Sequence, residues 1–244
     1  RDHDDAVFAQ ADSDRDNMGG HLIWVAIADV AHYVRPGTAL NEAARKRGNS
    51  TYFPDRVVPM LPEALSADLC SLHQGAKRPC LVVCLKIDSK GKKINHEFHR
   101  AIICSASSLT YEEVQRGIDG APSDRVSALL DTVIRPLYAA YSSLCFERQE
   151  RQPLDLELPE RVICLGKNGD VTSVKFKDRL DAHRLIEEFM IMANVAAAEC
   201  LAAKKEPCLF RIHEEPDKEK IEALRDTAQS VGLNLAKGAA LRTR

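Results

Sequence analysis

Three carboxylates, Asp2, Asp4 and Asp5, stand within four consecutive positions, just ahead of the apolar run Ala6 to Gln10. Like charges this close repel one another, and burying them is costly unless a cation neutralises them. Ligands that are all oxygen favour a hard ion such as Mg²⁺. Mg²⁺ held by a few carboxylates suits in-line attack of water on a phosphodiester. In an extended chain Asp2 and Asp4 share a face and Asp5 points the other way. The set therefore divides between ligation and support. Taken alone, the pattern has a second reading: a solvated turn before a strand.

Other chemistry-bearing spacings are weaker. Asp12-x-Asp14-x-Asp16 has the start of a calcium loop, but Asn17 stands at the tight-turn glycine position and Ile23 at the closing glutamate. A solvated hairpin turn over Asp12 to Gly20 is expected instead. The eight cysteines form no C-x-x-C pair, and several lie in apolar runs such as Pro79 to Cys84. They read as reduced, buried thiols of a cytoplasmic protein rather than zinc ligands. His183, Glu187 and Asn194 fall at i, i+4 and i+11, on one face of a helix that is otherwise apolar nearly all round. Such a stripe is either a satisfied structural network or the wall of a polar channel.

The elements that must position these residues mix strands and helices. Ala6–Gln10 and His21–Val30 read as strands, as do Leu81–Ile87 and Ile94–Cys104 around the turn Asp88 to Lys92. Val162–Leu165 and Val171–Phe176 form a further expected pair, and Cys208–His213 a single strand. Helices are expected over Tyr111–Gly117, Asp124–Arg151 (broken or kinked by Pro136), Leu180–Lys204 and Asp217–Val231. The fold class is α/β, a mixed α+β arrangement. Trp24, on an expected buried strand, reads as core.

The 244 residues carry 34 Lys plus Arg against 36 Asp plus Glu, a net charge of −2, with 45% hydrophobic residues. These values exclude a disordered tail or a fibre. No apolar run approaches the roughly 18 residues of a membrane helix. Near-neutrality offers no bulk charge for nucleic acid. The chain opens at Arg1 rather than Met and ends at Arg244 without a tail pattern. It is expected to be a piece of a longer protein.

Longer motifs narrow the choice. Arg1-Asp2-His3-Asp4-Asp5-Ala6-Val7 and Val25-Ala26-Ile27-Ala28-Asp29-Val30-Ala31 resemble the opening of the catalytic domain of the ribonuclease R/ribonuclease II (RNB) family. The resemblance continues through Arg47 to Pro54, Val58 to Pro62 and Leu65 to Leu72, and resumes at Ile186 to Asn194 and Phe210 to Glu214. The segment Pro153 to Pro159 and His3 look nearer to the ribonuclease R branch.

The resemblance implies an RNB catalytic domain over residues 1–244, with a mixed sheet surrounded by helices. It is truncated at both ends and lacks its flanking OB-type RNA-binding domains. It implies a monomeric Mg²⁺-dependent enzyme that degrades single-stranded RNA processively from the 3′ end to nucleoside 5′-monophosphates. Asp5 matches a direct metal ligand, Asp4 the carboxylate most critical to the chemistry, and Asp2 a further member of the metal site. Tyr52 matches the aromatic that stacks on the terminal nucleotide, whereas by itself it would pack under a loop. Glu187 matches a position that contacts the terminal sugar. Leu156 stands where ribonuclease II has a second aromatic. Asp29 and Asp68 are expected in supporting roles, and His213 near the site but not as a base. Arg35, Arg45, Lys46, Arg47, Arg56 and Arg78 flank these motifs and read either as a local stripe able to steer phosphates or as scattered solvated charges. The family's first aspartate and its downstream arginine motif are outside this chain. The alternative is a non-catalytic RNA-binding protein of the same fold, or an inactive fragment.

Overall fold

The apolar run from His21 becomes the strand around which the fold is built. The computed structural model describes residues 3–150, 160–166, 168–212 and 214–234. In chain order the elements are β1 (Asp5–Ala11), β2 (His21–Ala28), α1 (Val30–Tyr33), α2 (Ala39–Arg47), β3 (Thr51–Tyr52), β4 (Val57–Val58), β5 (Lys77–Ile87) and β6 (Lys93–Cys104). They continue with α3 (Tyr111–Ile118), α4 (Asp124–Ser127), α5 (Arg135–Glu150), β7 (Glu160–Leu165), β8 (Val171–Lys177), α6 (Asp181–Ala203) and α7 (Lys218–Ser230). The chain divides into two units, residues 1–197 and 198–244.

In the first unit four strands make a sheet in the order β1-β2-β5-β6. The mixture of helices and strands is as expected. The sheet expected to be mixed is antiparallel in every ladder among the described residues, with one parallel bridge, Gln74 to Ser105. Two hairpins, β1–β2 and β5–β6, impose that direction on their own strands.

β2 is apolar on both faces because both are covered. Ile23 and Val25 join Ala9, Val83, Leu85 and Ile87 beneath α5 and α6, packed on Leu137, Leu144, Leu185 and Phe189. Ala26 and Ala28 face the other way, with Cys80 and Val82, against Ala44 of α2 and Leu61, Leu65 and Leu72. Trp24 is half-buried on this second face, its ring 5.6 Å from Phe8. The β5–β6 turn docks on α5. A Cβ on Gly91, whose φ is +83°, would stand 2.1 Å from the Ser143 carbonyl oxygen, so only glycine fits.

Local signals behave as their chemistry requires. Thr110 and Glu113 close a capping box at the start of α3. The expected helix over Asp124–Arg151 is split. α4 ends at Ser127, a π-helical turn covers Leu130–Ile134, and Pro136 falls in the first turn of α5, where its missing N–H is harmless.

Three expectations are corrected. The segment Asp12 to Gly20 is not simply a solvated turn. Asn17 is buried and its Nδ2 donates to Asp12 Oδ2 at 2.8 Å and to the Ile87 carbonyl at 3.0 Å. Lys86 Nζ, 3.2 Å from Asp12 and 2.6 Å from Asp14, sits where a cation would. Cys208–Ile212 forms no strand among the described residues; its apolar side chains Leu209, Phe210 and Ile212 are exposed and no neighbouring strand pairs with it. α6 is buried on one face only. Leu185, Glu188, Phe189, Ala193 and Ala196 point inward while Ile191 and Val195 are exposed. No helix among the described residues is long and apolar enough to cross a membrane. All eight cysteines are free thiols.

Candidate active site

The acidic run is clamped from two sides. On one, the Ala28 N–H donates to the Asp4 carbonyl at 2.9 Å, extending the ladder in which Asp5 pairs with Ile27. On the other, the His3 N–H donates to Ser71 Oγ at 3.0 Å and the Leu72 N–H donates to the His3 carbonyl at 2.8 Å. Ser71 is fully buried. The His3 ring meets His73 edge-on at 6.5 Å.

The two described aspartates of the run differ in environment. Asp4 is exposed and Asp5 half-buried. Burial pushes the Asp5 carboxyl above the usual carboxylate range, and the Asp4 charge adds to that. The Cys70 thiol, raised first by its own burial, is raised further by Asp4 and Asp29. This rim is therefore electronegative.

Asp29 and Asp68 are matched by arginines. Arg100 Nη2 lies 2.8 and 3.0 Å from the two Asp29 oxygens, and Arg78 Nη2 lies 2.9 Å from Asp68 Oδ1. Both carboxylates, expected in supporting roles, are thus engaged in ion pairs.

Among the described residues no three His, Cys, Asp or Glu side chains converge as a ready-made metal cage. Asp2 lies outside the described residues, as do Leu156 and His213. Mg²⁺ does not need a cage: it keeps several waters and is commonly held by one or two carboxylates plus substrate phosphate. Adjacent carboxylate oxygen donors at the start of an edge strand, one exposed and one half-buried, fit that ion. Asp4 and Asp5 would hold it, with Asp2 as the expected third donor.

Tyr52 lies on the separate β3–β4 hairpin and is 74% exposed, so it does not pack under a loop. Its neighbour Phe53 is covered instead by the Arg56 guanidinium, 4.8 Å from the ring centre.

Glu187 and His183 share a polar cavity of ≈ 340 Å³ with Glu160, Lys177, Asp178 and Arg179. Asn194, expected on the same stripe, is not among its lining residues. Arg179 Nη2 lies 2.6 Å from Glu187 Oε2. His183 is held by the Leu180 N–H, which donates to Nδ1 at 3.2 Å, and by stacking on Tyr111 at 4.1 Å. Burial pulls its pKa below the usual histidine value. The buried carboxylate of α6 is the adjacent residue, Glu188, whose Oε1 accepts from Arg148 Nη1 at 2.5 Å.

The expected basic stripe is partly committed to the protein itself. Arg78 Nε donates to the carbonyls of Ser71 and Asp68, and Arg47 Nη1 to that of Pro59. Arg56 pairs with Asp55. Arg45 and Lys46 remain exposed on α2. Ser71 and Arg100 carried no signal in the sequence, because a lone serine and a strand arginine acquire their roles only from distant partners.

Residues 1–243 match the RNB domain. Ribonuclease R of Escherichia coli (strain K12) is 40% identical over 239 residues, covering 98% of this chain and 29% of that protein. Ribonuclease R of Aquifex aeolicus (strain VF5) is 37% identical over 232 residues, 95% of this chain and 32% of that protein. Mycoplasma genitalium RNase R, solved in complex with ribose-methylated single-stranded RNA, matches with a TM-score of 0.90 at 27% identity, over 97% of this chain and 36% of that one. The chain spans about a third of the length of these relatives. Matched over nearly its whole length, the chain belongs to the RNB domain family.

Proposed function

We propose that the full-length protein is a Mg²⁺-dependent, processive 3′→5′ exoribonuclease that hydrolyses single-stranded RNA to nucleoside 5′-monophosphates, acting as a cytoplasmic monomer. The observation that carries this reading is the acidic run. Asp4, exposed, and Asp5, half-buried, are adjacent carboxylates at the start of the edge strand β1, and burial together with the Asp4 charge holds the Asp5 carboxyl above the usual range. When bound there, Mg²⁺ supplies an activated water and neutralises charge on the leaving oxygen. Asp4, Asp5 and Asp2 hold and orient the ion. Glu187 accepts the 2′-hydroxyl proton of the terminal sugar, the contact that separates RNA from DNA. The RNA relatives named above support the substrate class.

The full-length protein should shorten 3′-labelled or 5′-labelled single-stranded RNA from its 3′ end in Mg²⁺, and stop when EDTA is added. Intact substrate in Mg²⁺ would favour the non-catalytic RNA-binding alternative, and internal cuts alone would reject exonucleolytic action.

Tyr52 is exposed and its ring is free to take a base. Stacking of that kind is worth about 1–3 kcal/mol per base and is indifferent to sequence. In the same assay Tyr52→Ala should change the length of the shortest product while the early rate on long RNA stays near wild type. An identical product ladder would remove Tyr52 from the binding site.

A further inference from the structure

The sheet alone does not explain how the acidic run is held. The β1–β2 ladder reaches only to the Asp4 carbonyl, which the Ala28 N–H meets at 2.9 Å. One residue further on, β2 has ended and the chain passes through Asp29 into α1. His3, the peptide neighbour of both Asp2 and Asp4, therefore finds its partners elsewhere. Its N–H and its carbonyl are both taken by consecutive residues of one distant segment, Ser71 at 3.0 Å and Leu72 at 2.8 Å.

The N–H partner is a side chain, the Ser71 hydroxyl, and that side chain has no exposed surface. It is itself held firmly. The Ser71 N–H donates to the Asp68 carbonyl at 3.0 Å. Arg78, at the start of β5, donates from Nε to the Ser71 carbonyl at 3.1 Å and from Nη2 to the Asp68 carboxylate at 2.9 Å. A continuous path of polar contacts thus runs from a central strand, through Arg78 and the 68–71 turn, to the backbone between two carboxylates.

We propose that Ser71 is a positioning residue for the divalent-cation site: its buried hydroxyl holds the His3 N–H while the next residue, Leu72, holds the His3 carbonyl, and together they fix the backbone that leads into Asp4. This rests on the reading of the acidic run as the metal site. Ser71 touches neither ion nor RNA. It acts by fixing the His3 backbone from which the chain continues into Asp4, and a displacement of about 1 Å in such a carboxylate costs on the order of 100-fold in rate. Removal of a hydrogen-bond partner that orients metal ligands typically costs about 10–100-fold in metal affinity or activity.

The test uses the full-length protein, Mg²⁺ binding by titration calorimetry, thermal melting, and steady-state cleavage of single-stranded RNA. Ser71→Ala should weaken Mg²⁺ binding and lower kcat, each by about 10–100-fold, while KM for RNA changes by less than about threefold. Ser71→Thr restores the hydroxyl and should recover Mg²⁺ affinity and kcat even where its extra methyl lowers Tm. Should Ser71→Ala not fold, Ser71→Cys keeps the volume with a poorer sulfur acceptor. Weaker Mg²⁺ binding in it supports the proposal, and wild-type affinity overturns it. A merely structural serine would lower Tm in Ser71→Ala and leave Mg²⁺ affinity and kcat unchanged, which also overturns it. Asp4→Asn is measured alongside. If it binds Mg²⁺ and cleaves like wild type, the metal-site reading falls and the proposal with it. If it loses both while Ser71→Ala keeps both, the proposal about Ser71 alone is rejected.

Discussion

Asp4→Asn in the full-length protein will reduce RNA degradation by about 1000-fold or more, a loss of about 4 kcal/mol of transition-state stabilisation. Asparagine keeps the size of the side chain and one oxygen but removes the charge. Asp4 is exposed, and its described backbone contact is the Ala28 N–H to its carbonyl, which the substitution leaves untouched. The fold should therefore survive, with Tm within a few degrees of wild type. RNA binding should hold to within about threefold, because contacts far from the reacting phosphate carry most of it. Gel-shift and cleavage assays on one preparation separate the outcomes. Parallel loss of binding and cleavage would make Asp4 structural, and retained cleavage would move the chemistry elsewhere.

Arg148→Ala will destabilise the protein by about 3–5 kcal/mol. Glu188 is 2% exposed and lies between α5 and α6, with the Arg148 guanidinium 2.5 Å away. Removing the guanidinium strands a carboxylate in a low-dielectric interior, and the penalty is that of an uncompensated charge rather than the worth of the ion pair. Against a typical domain stability of about 5–15 kcal/mol this is a large fraction. Equilibrium unfolding in urea measures it. The double variant Arg148→Met/Glu188→Leu should recover most of the loss, since apolar replacement of both partners is often neutral. If Arg148→Ala lies within about 1 kcal/mol of wild type, the remaining contacts of Glu188 suffice without Arg148.

These two predictions fall on opposite sides of what a sequence can convey. Asp4 is legible as a candidate because the carboxylates that crowd it are its neighbours in the chain. Three carboxylates before an apolar strand pose an electrostatic problem that a cation or solvent must relieve. The same holds for the hairpin turn at Asp88 to Lys92, the capping box at Thr110 and Glu113, and the break near Pro136. Each depends on residues within a few positions, so local sterics and hydrogen bonding decide it. The strand His21–Ala28 is legible for a related reason: a run apolar on both faces must be covered on both.

Glu188 is not legible. Glu187 and Glu188 are chemically identical and adjacent, and on a helix apolar nearly all round nothing local says which turns inward. Packing of Leu185, Phe189, Ala193 and Ala196 on the sheet sets the rotation of α6, and about 100° per residue then sends Glu188 inside and Glu187 into the polar cavity. Cys208–Ile212 shows the same limit in a strand: apolar residues there propose a ladder, but only a neighbouring edge can supply one.

By itself, then, the sequence determined the local features, a run of adjacent carboxylates ahead of an apolar strand, together with the mixture of strands and helices that carries it. The tertiary structure decided which charges are neutralised and by what. Arg100 reaches Asp29 across the sheet, Arg78 meets Asp68 of the preceding helical turn, Lys86 enters the Asp12 loop, and Ser71 crosses 68 positions of chain to hold the His3 amide. The physical reason is range. Charge density and periodicity are properties of neighbouring residues, whereas pairing and burial depend on which distant surfaces the core brings into contact.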